Sequence, residues 1–250
     1  MSTFVVSDLH GYSEVFERGL DHIHFSDSDR LYIIGDAIDR GPDGIKLLQM
    51  IHDNPNMDLL IGNHELLMLC SVDLDADAKC TGDRAELWLE YNGGTTTFKK
   101  YCELSKDARN QLLHWLYERK LITQVEVNDK KFILLHSFYD PRYQEVSYSK
   151  IPKRDAWNIV WESLFRGDRY IVTQASYTKY SNLTFITGHV PVQRILPTEV
   201  FNGDLPKPYR TANLIDIDGG LAAGGNGLTN GAIFYKLDDD TYYVEPFRRN

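Results

Sequence analysis

Five short apolar runs along the chain each end on a polar or metal-binding residue. Phe4-Val5-Val6 precedes Asp8, Leu31-Tyr32-Ile33-Ile34 precedes Gly35, and Leu59-Leu60-Ile61 precedes Gly62. Later, Phe132-Ile133-Leu134-Leu135 precedes His136, and Leu183-Thr184-Phe185-Ile186 precedes Gly188. Short continuous runs of this kind read as strands buried on both faces. Helical stretches near 12–23 and 43–53 separate strands near 3–7, 31–35 and 58–62, so the chain opens as β-α-β-α-β. Parallel pairing of such strands needs covered faces, which predicts an α/β fold.

Residues 64–118 read mainly as helix, continuing from the third run through 65–72, then 83–91 up to a break at Gly93-Gly94. A further helix over 105–118 opens with Ser105 as N-cap. This block is expected to flank or cap the site. Strand patterns return at 121–127 and 131–137, separated by Asn128-Asp129-Lys130, whose turn chemistry predicts a tight hairpin. More strands are expected in LTFITGH, TANLIDID, GAIFYKL and TYYVEPF, the last two meeting at Asp238-Asp239-Asp240. The aromatic, mixed stretch 138–181 assigns itself to no element. Without a repeat, a low-complexity tract or a linker, residues 1–250 are expected to form one domain.

Composition narrows the picture a little. The chain has 250 residues, 42% hydrophobic and 25% charged, which is ordinary for one large globular domain and argues against disorder. A net charge of −9 with no basic stripe excludes nucleic acid as the main partner. Part of that charge sits in Asp8, Asp36 and Asp39, so net acidity says little about substrate. Cys70, Cys80 and Cys102 are odd in number and form no C-x-x-C pair, which reads as reduced thiols in a cytosolic protein. No apolar stretch approaches the ~20 residues that span a membrane. Met1-Ser2-Thr3 runs directly into the first strand, so no signal peptide is expected and the cytoplasm is the expected compartment.

The residues after the apolar runs carry the chemistry. Ligands gather beyond the carboxyl ends of strands in such sheets, so Asp8, His10, Asp36, Asn63, His136 and His189 are expected to share one site. Aspartate, asparagine and imidazole without thiolate suit Mn, Fe or Zn. Two ions ~3.5–4 Å apart clamp the attacking and leaving oxygens of an in-line displacement, and phosphate ester hydrolysis needs this most. A two-metal hydrolase is the expectation.

Each motif alone has a plainer reading. Asp8-x-His10 would place two side chains on one side of an extended segment, yet a capping Asp beside a surface His has the same spelling. Asp36 is placed to bridge two metals, with Asp39 and Arg40 on the turn that enters a helix at Pro42; a solvated loop would look similar. Asn63 offers a neutral oxygen to a metal, and His64 would point away as a proton donor. Asp39 would then hold that imidazole in one tautomer and favour its protonated form. His136 and His189 would complete the second metal's shell, although each alone reads equally as a core histidine. His22, His24, His52 and His114 lack such context and read as surface or packing residues. The Trp and Tyr residues of 157–180 read as core or cap packing.

Together, Asp8-x-His10-Gly11, Gly35-Asp36-x-x-Asp39-Arg40-Gly41 and Gly62-Asn63-His64-Glu65, followed by two spaced histidines, closely resemble the phosphoprotein phosphatase family of calcineurin-like metallophosphoesterases. The bacterial and bacteriophage branch is nearest, and Trp88-Leu89-x-x-Asn92-Gly93-Gly94 resembles a segment of it. The resemblance implies the metallophosphoesterase fold, an α/β architecture with a central mixed β-sandwich flanked by helices. It implies two metal ions, the first held by Asp8, His10 and Asp36, the second by Asp36, Asn63, His136 and His189. Arg40 would hold phosphate oxygens bidentately. A metal-bridging hydroxide would attack phosphorus while His64, supported by Asp39, protonates the leaving oxygen. The implied substrates are phosphomonoesters, with phosphoserine or phosphothreonine in proteins first. Nucleotides or dinucleoside polyphosphates are the alternative within the fold, and a non-catalytic phospho-binding module is a third reading. Asp39 favours the first, because symmetrical dinucleoside tetraphosphatases commonly carry Ala before the corresponding arginine.

Two departures stand out. Many relatives follow the first late histidine with Ala or Gly and then Gly or Asp, whereas this chain reads His136-Ser137-Phe138-Tyr139. Related bacterial sequences also carry an arginine two residues after a tryptophan resembling Trp161, where Ser163 stands here. Either that second phosphate-binding arginine is missing from this chain, or Arg166 or Arg169 supplies it.

Overall fold

The computed structural model describes residues 1–73, 78–162, 180–195, 205–223 and 229–248. Its first half runs β1 (Thr3–Val6), α1 (Ser13–His22), β2 (Arg30–Ile33), α2 (Gly44–Asp53), β3 (Met57–Leu59) and α3 (Asn63–Ser71). A short π-helix (Leu87–Tyr91), α4 (Thr95–Glu103) and α5 (Lys106–Tyr117) follow. The second half contains β4 (Ile122–Val127), β5 (Lys130–Leu135), α6 (Lys153–Trp161), β6 (Leu183–Thr187) and α7 (Val192–Ile195). The chain closes with β7 (Tyr209–Thr211), β8 (Leu214–Asp216), β9 (Gly231–Lys236) and β10 (Thr241–Pro246).

The strands form two five-stranded sheets, ordered β10-β9-β1-β2-β3 and β4-β5-β6-β8-β7. Both are mixed. In the first, β1, β2 and β3 run parallel and β9 joins β1 antiparallel. In the second, β5, β6 and β8 run parallel, with antiparallel β4 and β7 at the edges. Side chains alternate between two packing layers, as the pleat requires. Val5, Phe132, Leu134, Ile186 and Ile233 interlock between the sheets. Their neighbours Phe4, Val6, Ile133, Leu135 and Phe185 face the helices. Burial on both sides explains why the runs are continuously apolar. An α/β sandwich flanked by helices is therefore what the structure shows.

Local signals held where they were strongest. Asn128 and Asp129 take φ of 51° and 61°, the paired left-handed values of a two-residue hairpin turn. Ser105 caps α5 by accepting from the Ala108 amide at 3.2 Å. Other segments differ from the sequence reading. The helix expected over 83–91 forms from 85, with its last five residues, Leu87–Tyr91, wound as a π-helix, and α4 and β7 carried no separate signal. Within 138–181, α6 buries Ala156, Ile159 and Val160, an i, i+3, i+4 stripe that the surrounding aromatics obscure. The rest of that stretch from 163 to 179, with Ser163, Arg166 and Arg169, lies outside the described residues. Among the described residues no helix is long and apolar enough to cross a membrane.

One helix-sheet contact makes a stability prediction. Gly19 of α1 lies against the buried Phe234 ring of β9, and a Cβ there would overlap that ring. Overpacking of this kind costs about 1–3 kcal/mol, against a gain of ~1 kcal/mol in helix propensity. Gly19→Ala is expected to lose about 1 kcal/mol net in urea denaturation, the middle of the overpacking range less the propensity gain. An unchanged or raised midpoint would refute the packing argument.

Candidate metal centre

β1 ends with its apolar run at Val6, whereas β2 and β3 stop at Ile33 and Leu59, short of the ends of their runs at Ile34 and Ile61, and the chain then turns sharply. Asp8, His10, Asp36, Asp39, Arg40 and His189 all adopt left-handed backbone, with φ of 54°, 44°, 54°, 72°, 66° and 76°. Non-glycine residues in this region cost about 1–2 kcal/mol each, and such strain collects at functional sites. This corrects the extended reading of Asp8-x-His10: the two side chains converge because the chain turns at both residues. Backbone bonds between the loops sustain the turns: His10 N donates to Asp36 O at 2.9 Å, Gly11 N to Ala37 O at 2.8 Å, and Gly41 N to His10 O at 2.9 Å. Gly62 and Gly188 allow the closest approaches, since a Cβ at either would collide with the Asp36 or Asp8 carboxylate.

The predicted residues meet in two overlapping groups. His10 Nε2 lies 3.9 Å from both Asp8 Oδ1 and Asp36 Oδ2. On the other side, Asn63 Oδ1 lies 3.0 Å from His136 Nε2 and 2.9 Å from His189 Nδ1, while His136 Nε2 is 3.4 Å from Asp36 Oδ1. Asp36, His136 and His189 place ligand atoms within 4.8 Å of one another, as do His10, Asp36 and His64. Asp36 is common to both groups. His64 thus sits closer to the first group than its motif suggested, with Nε2 3.7 Å from Asp36 Oδ2.

Carbonyls behind the imidazoles choose their tautomers. His136 Nδ1 lies 2.9 Å from Ile34 O and His10 Nδ1 lies 3.2 Å from Ile38 O. Donation to those oxygens leaves each Nε2 lone pair facing the cluster, the arrangement metal-binding histidines use. Burial, then the nearby Arg40 charge, holds His10 well below the usual histidine range, so it is neutral and able to ligate. Burial, then Asp8 and Glu65, pushes Asp36 well above the usual carboxylate range. Divalent cations would relieve that crowding of acids, and the oxygen and imidazole donor set fits them.

Three residues that sequence reasoning passed over hold the site together. Glu65 Oε2 accepts from the Asp36 and Gly62 amides, both at 2.9 Å, and Oε1 accepts from Ala37 N at 2.8 Å. Its place next to His64 at a helix start suggested no more than a cap. The Trp88 indole donates to Asp39 Oδ2 at 2.8 Å, and Thr97 Oγ1 accepts from Asp39 N at 3.0 Å. Gly93 O accepts from Arg40 N at 3.1 Å, so the Trp88–Gly94 motif is the mould for Asp39 and Arg40. Two more buried acids, Asp216 and Asp218, lie beside Asp8, and burial raises both well above the normal range. The spelling IDIDG at a strand end was the available signal.

His64 Nδ1 and Asp39 Oδ2 are 2.7 Å apart and wholly buried. The Arg40 guanidinium spans the front, with Nη1 donating to His10 Nε2 at 2.7 Å and Nη2 to His64 Nε2 at 3.1 Å. Burial, then Arg40 and His136, holds His64 well below the usual range, and burial pushes Asp39 up to about 7. In the free protein Asp39 therefore orients the ring without keeping it protonated, contrary to the sequence expectation. Complete desolvation outweighs the carboxylate's attraction. The remaining histidines serve packing or the surface, as His22 does by stacking on Tyr243 at 3.6 Å. All three cysteines are free.

Two packed mixed sheets, with buried Asp, Asn and His side chains gathered where strands end, define an α/β metallophosphoesterase. The family model for calcineurin-like phosphoesterase matches residues 1–206, and the chain belongs to that family. It is 28% identical to serine/threonine-protein phosphatase 2 of Salmonella typhimurium over 89% of both chains. It is 30% identical to the symmetrical bis(5'-nucleosyl)-tetraphosphatase of Erwinia tasmaniensis over 57% of this chain, which spans only 46% of that protein. A metallophosphoesterase from Sphaerobacter thermophilus superposes with a TM-score of 0.54 at 13% identity, over 100% of this chain and 89% of that one.

Proposed function

We propose that this chain is a dinuclear metal-dependent phosphatase that removes phosphate from phosphoserine or phosphothreonine in proteins. The observation that carries the reading is the buried His64–Asp39 pair, 2.7 Å apart, set beside two ligand groups that share Asp36. Asp8, His10 and Asp36 would hold one ion, and Asp36, Asn63, His136 and His189 the other, with Mn, Fe or Zn suited to these donors. Bound there, such ions would act as Lewis acids and lower the pKa of water for attack at phosphorus.

Arg40 donates from Nη1 to His10 and from Nη2 to His64, and a phosphoryl group would take over that fork with two of its oxygens. Burial is the first cause of the low His64 pKa and the Arg40 charge the second, so a phosphoryl dianion in that fork offsets the second and favours the protonated ring. The imidazole would take a proton from solvent at Nε2 before the site closes over substrate and deliver it to the leaving oxygen, while Asp39 fixes the ring through Nδ1. The 64–118 helical block belongs to the same catalytic domain in this reading, since it supplies Trp88 and Thr97 to Asp39.

The match along 89% of both chains supports a protein phosphatase. Symmetrical tetraphosphatases, aligned over 46% to 55% of their own lengths in the Erwinia and Haemophilus ducreyi examples, support dinucleoside polyphosphate hydrolysis as a second reading. Metal-stripped protein is expected to hydrolyse an aryl phosphate only after Mn is added, and to prefer a phosphopeptide to a dinucleoside tetraphosphate. Faster turnover of the dinucleotide would install the second reading. Bound metal without any turnover would make the chain a phospho-binding module.

A further inference from the structure

A cavity of about 280 Å³ opens beside the two ligand groups. Asp36 and Arg40 line it, together with Asp218, Gly220, Ala222 and Arg194 from the C-terminal third. We propose that Arg194 binds a second anionic group of the substrate, a carboxylate flanking the phosphorylated residue, and so sets substrate preference. This rests on the phosphatase reading and extends it to the side of the cavity that the catalytic groups leave unused.

Charge makes the case first. Among the described lining residues only Arg40 and Arg194 carry a fixed positive charge. Arg40 donates to His10 and His64 and is taken up by the scissile phosphoryl group in the proposed function. Arg194 is exposed and makes no ion pair or side-chain hydrogen bond among the described residues. Asp218, 3% exposed, faces the same space and repels any anion that enters there. A ligand carrying negative charge beyond the scissile phosphoryl group needs a cation on this wall, and among the described residues Arg194 is the one present.

Placement follows. Arg194 stands five residues after His189, whose Nδ1 lies 2.9 Å from Asn63 Oδ1. Its turn is pinned to the Asp218 loop, with Val192 N donating to Asp218 O at 2.9 Å and Gln193 Nε2 to Gly219 O at 2.8 Å. The guanidinium therefore hangs from a fixed point at the cavity's edge. Gly220 and Ala222 offer no bulk to fill the space in front of it, which exceeds what one phosphoryl group occupies.

The test uses two phosphopeptides that differ only by Glu or Gln beside phosphoserine. The wild type is expected to favour the Glu peptide by about 10-fold in kcat/KM, the scale of one charge-assisted hydrogen bond, with the difference in KM. Arg194→Ala should bring that ratio to about 1. Arg194→Lys should keep part of it, because the charge stays while the fork is lost. A ratio near 1 in the wild type, a ratio that Arg194→Ala leaves intact, or an equal loss on both peptides would overturn the proposal. Wild-type turnover of an aryl phosphate checks the phosphatase reading separately. If neither peptide is turned over, the same ratio is read from their dissociation constants by fluorescence anisotropy, with the same outcomes deciding.

Discussion

Asp36→Asn is expected to lower turnover by at least about 10³-fold and to strip the protein of bound metal. A bridging carboxylate contributes several kcal/mol to charge neutralisation at a two-metal site, and each 1.36 kcal/mol is a factor of ten. The amide keeps the side-chain shape and can still accept from His64 N, which lies 3.0 Å from Asp36 Oδ1. The lost property is the negative charge shared by the two ligand groups. Stability should move the other way. In the metal-free protein the Asp36 carboxylate is buried beside Asp8 and Glu65, which raises its pKa above that of the unfolded chain. A raised carboxylate pKa means stability present at low pH and lost as pH rises through the folded value. The neutral amide escapes that loss, so metal-free Asp36→Asn is expected to melt above metal-free wild type at neutral pH. Elemental analysis, kinetics and thermal melting check the three parts; wild-type metal content in an inactive variant would mean that Asp36 does not bridge.

His64→Asn is expected to lower kcat on a phosphopeptide by at least about 10²-fold, the usual worth of a positioned general acid. The loss should shrink on an aryl phosphate, whose phenolate leaves without a proton. It should fall on kcat more than on KM, since Arg40 remains to hold the phosphoryl group. His64 also lies within ligand reach of His10 and Asp36, so metal content separates its possible roles. Retained metal with slowed chemistry fits the acid, whereas loss of an ion would make His64 a ligand. Adding Asp39→Asn should cost little more once His64 is gone, because the two act as a unit. An unchanged rate on the phosphopeptide would remove His64 from the chemistry.

Much of the framework was legible because its signals are local. Strands buried on both faces show as continuous apolar runs, and Asn128-Asp129 and Ser105 each mark a turn or cap by their own backbone chemistry. The site's supports were not legible for the converse reason. Glu65 straps a loop 29 residues away, Trp88 reaches Asp39 across 49 residues, and Thr97 does so across 58. No spacing rule connects such positions: Glu65 and Trp88 stood in quoted motifs without an assigned partner, and Thr97 lay unmarked in the helical block. Arg194 was equally silent, since an arginine shortly after a histidine motif is usually a surface charge.

The sequence by itself determined the α/β class, the strand ends that present side chains, and the nine residue positions at which Asp, Asn, His and Arg meet in one site. Ligand type and the presence of a buried strand are properties of short segments, so they survive without coordinates, whereas β2 and β3 ended short of their apolar runs. Only the tertiary structure decided how those residues face one another. It set the left-handed turns that aim Asp8 and His10, the carbonyls that choose the imidazole tautomers, and the Arg40 link between His10 and His64. It also reversed the protonation expected for His64, which burial and Arg40 hold neutral. The free energy of a buried charge depends on water excluded and on neighbours brought from distant elements, and neither quantity is written in any local stretch of chain.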